Sequence, residues 1–243
     1  MSVNVASGGA LSLRREPGGR SGPGAAATAR RRIAAGVLAG LCLSAAALAA
    51  APSLMPTSYS WVAQTTSESA AQGVDGAWLA RLGFLLFGLS VTALAFVAAG
   101  RWGRWSAALH YGFGAFMAAA AAFSTRPWTG AGYNPTEDAL HSVSATAVGV
   151  AFAAGVVTAA IHRRARRPGG QTALDIVAVA ASVVVPLGMS ALPDVDGALQ
   201  RTMFAVAYGW YALAALAILR DGSVVLGTGR QLADQGARDT PGQ

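Results

Sequence analysis

Apolar residues in this chain come in long runs and not in alternation, so its periodicity is that of buried helices. Between residues 33 and 219 the runs are separated only by short polar or arginine-bearing breaks. About 17 to 25 predominantly apolar residues suffice to cross the hydrocarbon of a bilayer. On that measure the pattern predicts six helices, over 33–51, 78–100, 105–123, 139–161, 174–192 and 198–219. The fold class this predicts is all-α: a polytopic membrane protein, a bundle of six transmembrane helices. Residues 1–32, rich in Gly, Ala, Ser and Arg without periodicity, read as a disordered basic tail, and 220–243 as a second, polar tail.

Composition agrees with the pattern: 53% of the 243 residues are hydrophobic and only 12% charged, well away from an ordinary soluble domain. The formal charge of +7 comes from arginine, because the chain has no lysine. A basic balance raises the question of nucleic acid. Position argues against it, since the arginines sit in short clusters beside apolar runs, as orienting and lipid-facing charges do. With the N-terminus inside, 15 of the 18 arginines fall on cytoplasmic segments and only Arg81, Arg126 and Arg201 outside. The asymmetry predicts both termini in the cytoplasm of a cell whose plasma membrane holds the protein, with anionic lipids as partners of the cytoplasmic arginines. A single cysteine, Cys42, excludes an internal disulfide and a cysteine metal cluster.

The first run also resembles a secretory signal, with a basic stretch, an apolar core and the small-residue sequence SAAALAAAPS. Its 19-residue core exceeds the usual 7 to 15, which favours a retained anchor over a cleaved signal that would leave five spans. Cys42 in LAGLC does not make a lipoprotein box, because Leu41 stands where a small residue is needed.

The fourth run opens on NPTEDALHSVSAT, residues 134–146. Asn134 followed by Pro135 and Glu137 is a helix start: an N-cap side chain, a proline at the first helical position and a carboxylate at the positive end of the dipole. Helical spacing brings Glu137 and Asp138 within reach of His141, and Ser144 continues that face. Further polar residues fall at the same level: Ser67 and Glu68 in the first outer loop, Arg81 one turn into the second run, Arg126 past the third, and Asp194, Asp196, Gln200 and Arg201 around the start of the sixth. Charges in lipid are costly unless paired. The expectation is therefore an extracytoplasmic polar cluster of Ser67, Glu68, Arg81, Asp138, His141, Asp196, Gln200 and Arg201. Within it Arg201 would pair with Glu68 or Asp196, and the cluster would bind a lipid headgroup or another small polar ligand. The bland reading of each residue is a helix cap or a snorkelling side chain.

The stretches PTSYS and TTSESAAQG in the first outer loop, an acid before LHSVSA, and GALQR at the start of the sixth run resemble the bacterial membrane family catalogued as domain of unknown function 998. The resemblance runs from about residue 50 to 219 and concentrates at Ser67, Glu68, Asp138, His141, Gln200 and Arg201. Ser69-Ala70 stands here where the family commonly has Leu-Gly. The resemblance implies six spans and short loops, and brings no established activity.

No catalytic motif completes itself. A lipid phosphatase would need further Ser, Arg and His blocks that are missing, and no Gly-x-Ser-x-Gly elbow occurs. His110, His141 and His162 fall at different depths, too far apart to share an ion, so the expectation is no metal and no cofactor. An enzyme acting on a lipid or envelope precursor and a small-molecule transporter are the alternatives to recognition. Transport has less support, because the middles of the runs lack ionisable residues. Oligomeric state is left open.

Overall fold

A computed structural model describes residues 23–164 and 172–238, with the side chains of the last helix described as far as Arg220. The expected tail over 1–22, the connection 165–171 with Arg166 and Arg167, and residues 239–243 lie outside the described residues. The architecture is all-helical, in the order α1 (Pro23–Ala50), α2 (Ala77–Trp102), α3 (Arg104–Ala122), α4 (Pro135–Arg164), α5 (Thr172–Ala191) and α6 (Asp196–Arg238). Among the described residues there is no strand. Short 3-10 turns follow α1, at Ala51–Leu54, and precede α6, at Pro193–Val195; a third, Glu68–Ala70, lies in the α1–α2 connection.

The helices match the apolar runs, with two extensions. α1 begins at Pro23, ten residues before the first run, because AAATARRR is built of alanines and arginines that favour helix. α6 continues to Arg238 through the segment expected as a tail, since prolonging a helix costs far less than starting one. Five helices are long and apolar enough to cross a membrane, and the protein is a multi-pass membrane protein embedded in lipid. α3 is long enough, but Arg104, His110, Tyr111 and two glycines dilute it below that mark. It nonetheless runs the length of the bundle. Gly103 at its start abuts His162 at the end of α4, and its last turn meets His141 near the start of α4.

α2 and α3 form the centre. They cross at Gly88 and Gly114, where a Cβ on Gly88 would lie 2.7 Å from the Gly114 carbonyl oxygen, so only small residues allow this approach. The core is aromatic: Phe84, Phe87, Phe113 and Tyr211 are fully buried, and Phe87 stacks on Tyr208 at 4.1 Å between ring centres. Ser44 on α1 donates to the Gly83 carbonyl at 2.6 Å and shares a 2.5 Å hydrogen bond with the Tyr208 hydroxyl, tying α1 to α2 and α6. α5 is the least enclosed. Ile176, Val183, Val184 and Leu187 are all more than half exposed and present an apolar face to lipid.

Candidate functional site

Most of the expected site residues come together at the end of the bundle where α2, α4 and α6 begin, here called the roof. Here the backbone is irregular over 51–76 and 123–134 and cannot pair all its own polar groups. In apolar surroundings each unpaired group is expensive, so side chains must supply partners.

The first loop shows this directly. Thr65 and Glu68 form a capping box: the Glu68 amide donates to Thr65 Oγ1 at 3.1 Å, while Glu68 Oε2 accepts from the Thr65 amide at 2.6 Å and from its hydroxyl at 3.0 Å. Arg81 donates to the carbonyls of Ala70 and Ala71 at 3.1 and 3.2 Å, closing the other end of the same turn. Gln200, reaching from α6, accepts from the amides of Thr66 at 2.7 Å and Ser67 at 3.3 Å. Ser67 thus contributes its backbone to the site.

Arg201 corrects the expected ion pair. Its guanidinium donates to the carbonyls of Trp61 at 2.8 Å and Gln64 at 2.9 Å and to the Tyr59 hydroxyl at 2.6 Å, and it lies 4.9 Å over the Trp61 ring. Among the described residues it makes no salt bridge to a carboxylate. The loop is drawn so close to α6 that the amides of Gly197 and Ala198 donate to the carbonyls of Ala63 and Val62 at 3.2 and 3.0 Å. A Cβ on Gly197 would strike the Gln64 carbonyl. The cation thus finds carbonyl oxygens before it finds an acid. Burial raises the Tyr59 phenol above its ordinary range, offset in part by Arg201, so Tyr59 stays neutral and its hydroxyl also donates to the Thr65 carbonyl at 3.0 Å.

The start of α4 follows the same rule. Asn134 Oδ1 accepts from the amides of Thr136 and Glu137 at 3.0 and 3.3 Å, the expected N-cap. Glu137 and Asp138 do not pair with His141. Glu137 accepts from the Ser124 amide at 2.9 Å, and Asp138 from the Arg126 amide at 2.8 Å and the Thr125 hydroxyl at 2.9 Å. His141 turns Nδ1 to the carbonyls of Ala120 at 3.2 Å and Phe123 at 2.9 Å. The last turn of α3 has carbonyls without helical donors, and the segment after it has amides without acceptors. The acids and the histidine at the start of α4 satisfy both. Facing two carbonyls, Nδ1 must carry a proton, and in the neutral imidazole Nε2 is then an acceptor. That Nε2 is buried and has no partner.

Among the described residues, seven buried side-chain nitrogen or oxygen atoms lack a hydrogen-bond partner, and five of them are at the roof: Thr66 Oγ1, Ser124 Oγ, Trp128 Nε1, His141 Nε2 and Asp196 Oδ1. Three of the carriers, Thr66, Ser124 and Trp128, are joined through the first loop and α6. Trp128 packs edge-on to Tyr59 at 5.1 Å, Tyr59 bonds Arg201, Gln200 holds Thr66, and the Gln72 amide donates to the Thr125 carbonyl beside Ser124 at 3.0 Å. Thr66, Ser124 and Trp128 carried no signal beyond polarity in a loop, so the sequence pattern does not single them out.

The opposite, arginine-rich end contains a second polar assembly. Asp175 in the first turn of α5 pairs with Arg163 of α4 at 2.5 Å through Oδ2 and accepts from Trp210 Nε1 of α6 at 2.9 Å through Oδ1. Next to it His110 is fully buried between the Trp102 and Trp210 rings, with Nδ1 2.9 Å from the Tyr211 hydroxyl. An acid one position inside an apolar run was the readable signal for Asp175; its partners, 12 positions before it and 35 after it, were not. Among the described residues no group of three His, Cys, Asp or Glu side chains forms a metal-binding cluster.

A family model described as "Protein of unknown function (DUF998)" matches residues 33–217. No curated protein matches the chain. No solved structure matches it either.

Proposed function

Because the chain belongs to the DUF998 family, whose description assigns no activity, we propose its function from the roof itself: recognition of an uncharged, hydroxyl-rich polar group at the membrane surface. The observation that carries this reading is the set of five buried, unpartnered polar atoms at that end. Native proteins pair nearly all buried polar atoms, and five exceptions at one end of the bundle support a binding site there.

Their chemistry selects the partner. Asp196 Oδ1 and His141 Nε2 accept, Trp128 Nε1 donates, and the Thr66 and Ser124 hydroxyls do both. A phosphate offers no donor to the first two, and an ammonium no acceptor to the indole. Hydroxyls serve all five. Two of the three roof arginines, Arg81 and Arg201, are already bonded to carbonyls, which leaves the exposed Arg126 as the cation an anion could meet. Trp61 and Tyr133 stand more than two-fifths exposed beside the roof and offer faces on which a sugar or polyol can lie. Three of the roof acids, Glu68, Glu137 and Asp138, cap backbone amides, and Asp196 is left to accept from the ligand, an arrangement that supports binding over turnover.

Orientation belongs to the same proposal. The arginine-rich end faces the cytoplasm and anionic lipid, and the roof faces outward from the plasma membrane. With Cys42 replaced by serine, a cysteine at Ala131 is expected to react with an impermeant maleimide in intact cells and one at Arg104 only after lysis; the reverse pattern inverts the assignment.

Binding is tested on protein in nanodiscs by thermal shift with hexosyl-glycerol and hexosyl-diacylglycerol, against glycerol phosphate and ethanolamine. Stabilisation by a hexosyl compound, lost in Asp196→Ala and in Thr66→Val, is expected. Stabilisation by glycerol phosphate or ethanolamine alone, or by none of the four, overturns the reading.

A further inference from the structure

Below the roof, on the side of the bundle toward α5, lies a small half-open recess with about 30 Å³ of enclosed space and almost no polar lining. α4 contributes Val148, Gly149 and Phe152 to its wall, and α6 contributes Met203, Phe204 and Ala207, while Phe87, Phe113 and Met117 of α2 and α3 close it from behind. From α5 it receives Ser182 alone. We infer that this recess seats a short segment of the hydrocarbon chain of the same molecule whose hydroxyl-rich head binds the roof, the rest of the chain lying among the bilayer lipids, so that the ligand is a lipid with an uncharged, hydroxylated headgroup. The inference rests on the roof reading and adds the source of the headgroup.

Helical register joins the two sites. On α6, Gln200, Phe204 and Ala207 follow one another at spacings of four and three, the same face of one helix. The uppermost is bonded into the roof and the other two line the cavity. On α4, His141, Val148 and Phe152 are spaced seven and four and likewise share a face. At 1.5 Å per residue the lining residues lie about 3 to 9 Å below Arg201 on α6 and about 10 to 17 Å below His141 on α4, so the recess runs from the roof level toward the hydrocarbon. His141 is 3% exposed, with Nε2 unpartnered, at the top of that stripe. A molecule that satisfies the roof and is confined by these two faces extends downward into an apolar space.

The lining decides against a water-soluble ligand. A water in the cavity would find scarcely any polar partner, whereas a methylene chain would meet four phenylalanine rings. Entry from the bilayer runs past α5, the least enclosed helix, whose Pro186 cannot donate the helical hydrogen bond to the Ser182 carbonyl and weakens the helix at the cavity wall. Gly149 keeps the wall open, since a Cβ placed there meets nothing within 4 Å.

The experiment uses the full chain in nanodiscs, with hexosyl-diacylglycerol bearing a diazirine on one acyl chain, phosphatidylcholine bearing the same label, and unlabelled hexosyl-glycerol. The glycolipid is expected to label peptides spanning 113–117, 148–152 or 203–207, with competition by unlabelled glycolipid at roughly tenfold lower concentration than by hexosyl-glycerol. Gly149→Phe, which fills the space without touching the backbone, is expected to abolish that labelling and leave hexosyl-glycerol binding unchanged. Equal labelling by phosphatidylcholine means ordinary bilayer lipid occupies the cavity and overturns the inference. So does equal competition by the two hexosyl compounds, in which case the roof site stands with a soluble ligand. If neither hexosyl compound binds, both readings fall. Because label position is read in the unaltered chain, the outcome does not depend on the variant folding.

Discussion

The two ends of the bundle solve the same electrostatic problem in opposite ways. At the roof, Glu68, Glu137 and Asp138 accept from backbone amides, while Arg81, Arg201 and His141 face backbone carbonyls. At the arginine-rich end most of the polar side chains described pair with one another, through Arg163, Asp175 and Trp210 and through His110 and Tyr211, although Arg30 donates to the Val97 carbonyl at 3.1 Å. The cause is the local backbone. Gly103 alone, at φ 82°, separates α2 from α3, so the arginine-rich side of that hairpin has almost no irregular chain to satisfy. The roof connections are long, and their amides and carbonyls absorb the charges nearby. In this protein the described ion pair falls where the helices are regular, and the charges beside the long connections bind backbone instead.

The contrast predicts where damage is greatest. Asp175→Ala leaves both the Arg163 guanidinium and the Trp210 indole without their acceptor across three helices, and is expected to destabilise by about 3 kcal/mol in a detergent melt. Asp175→Asn keeps an acceptor for the indole and is expected to cost less. Equal melting of Asp175→Ala and the unaltered protein would remove the lock from this end.

Gly155→Ala comes next. Its Cβ would lie 2.8 Å from His110 Nε2, and the ring is held by its aromatic neighbours, so a loss of about 2 kcal/mol is expected, part of it restored when His110 is also cut to alanine. At the roof, His141→Ala strips the shared donor from the Ala120 and Phe123 carbonyls, for an expected loss of about 1.5 kcal/mol. The smallest effect belongs to Asn134→Ala, about 1 kcal/mol for a helix cap, read in the same melt. A roof variant that costs more than Asp175→Ala would reverse the ranking.

Much of this was legible in the chain. Apolar runs of spanning length placed all six helices, and Asn134-Pro135 marked the start of α4 because capping is decided within four residues. The Thr65-to-Glu68 capping box is equally local but was not read from the sequence, where the charge of Glu68 suggested pairing with Arg201 instead. Arg201 was not legible in the same way. Its partners are carbonyls of residues 61 and 64, and a carbonyl has no letter in a sequence. The unpartnered atoms of Thr66, Ser124 and Trp128 were hidden for a related reason, since a missing bond becomes visible only once the neighbours are in place. The helical reach of α1 back to Pro23 was obscured by arginines, which mark a tail by charge yet favour helix by propensity.

The most direct test of this division is a pair of double-mutant cycles read by thermal stability, one on Arg163→Gln with Asp175→Asn, the other on Arg201→Gln with Glu68→Gln. The account predicts a coupling above about 1 kcal/mol in the first and additivity within about 0.5 kcal/mol in the second. A roof coupling as large as that between Arg163 and Asp175 would mean that Arg201 and Glu68 form the ion pair after all, and would contradict it.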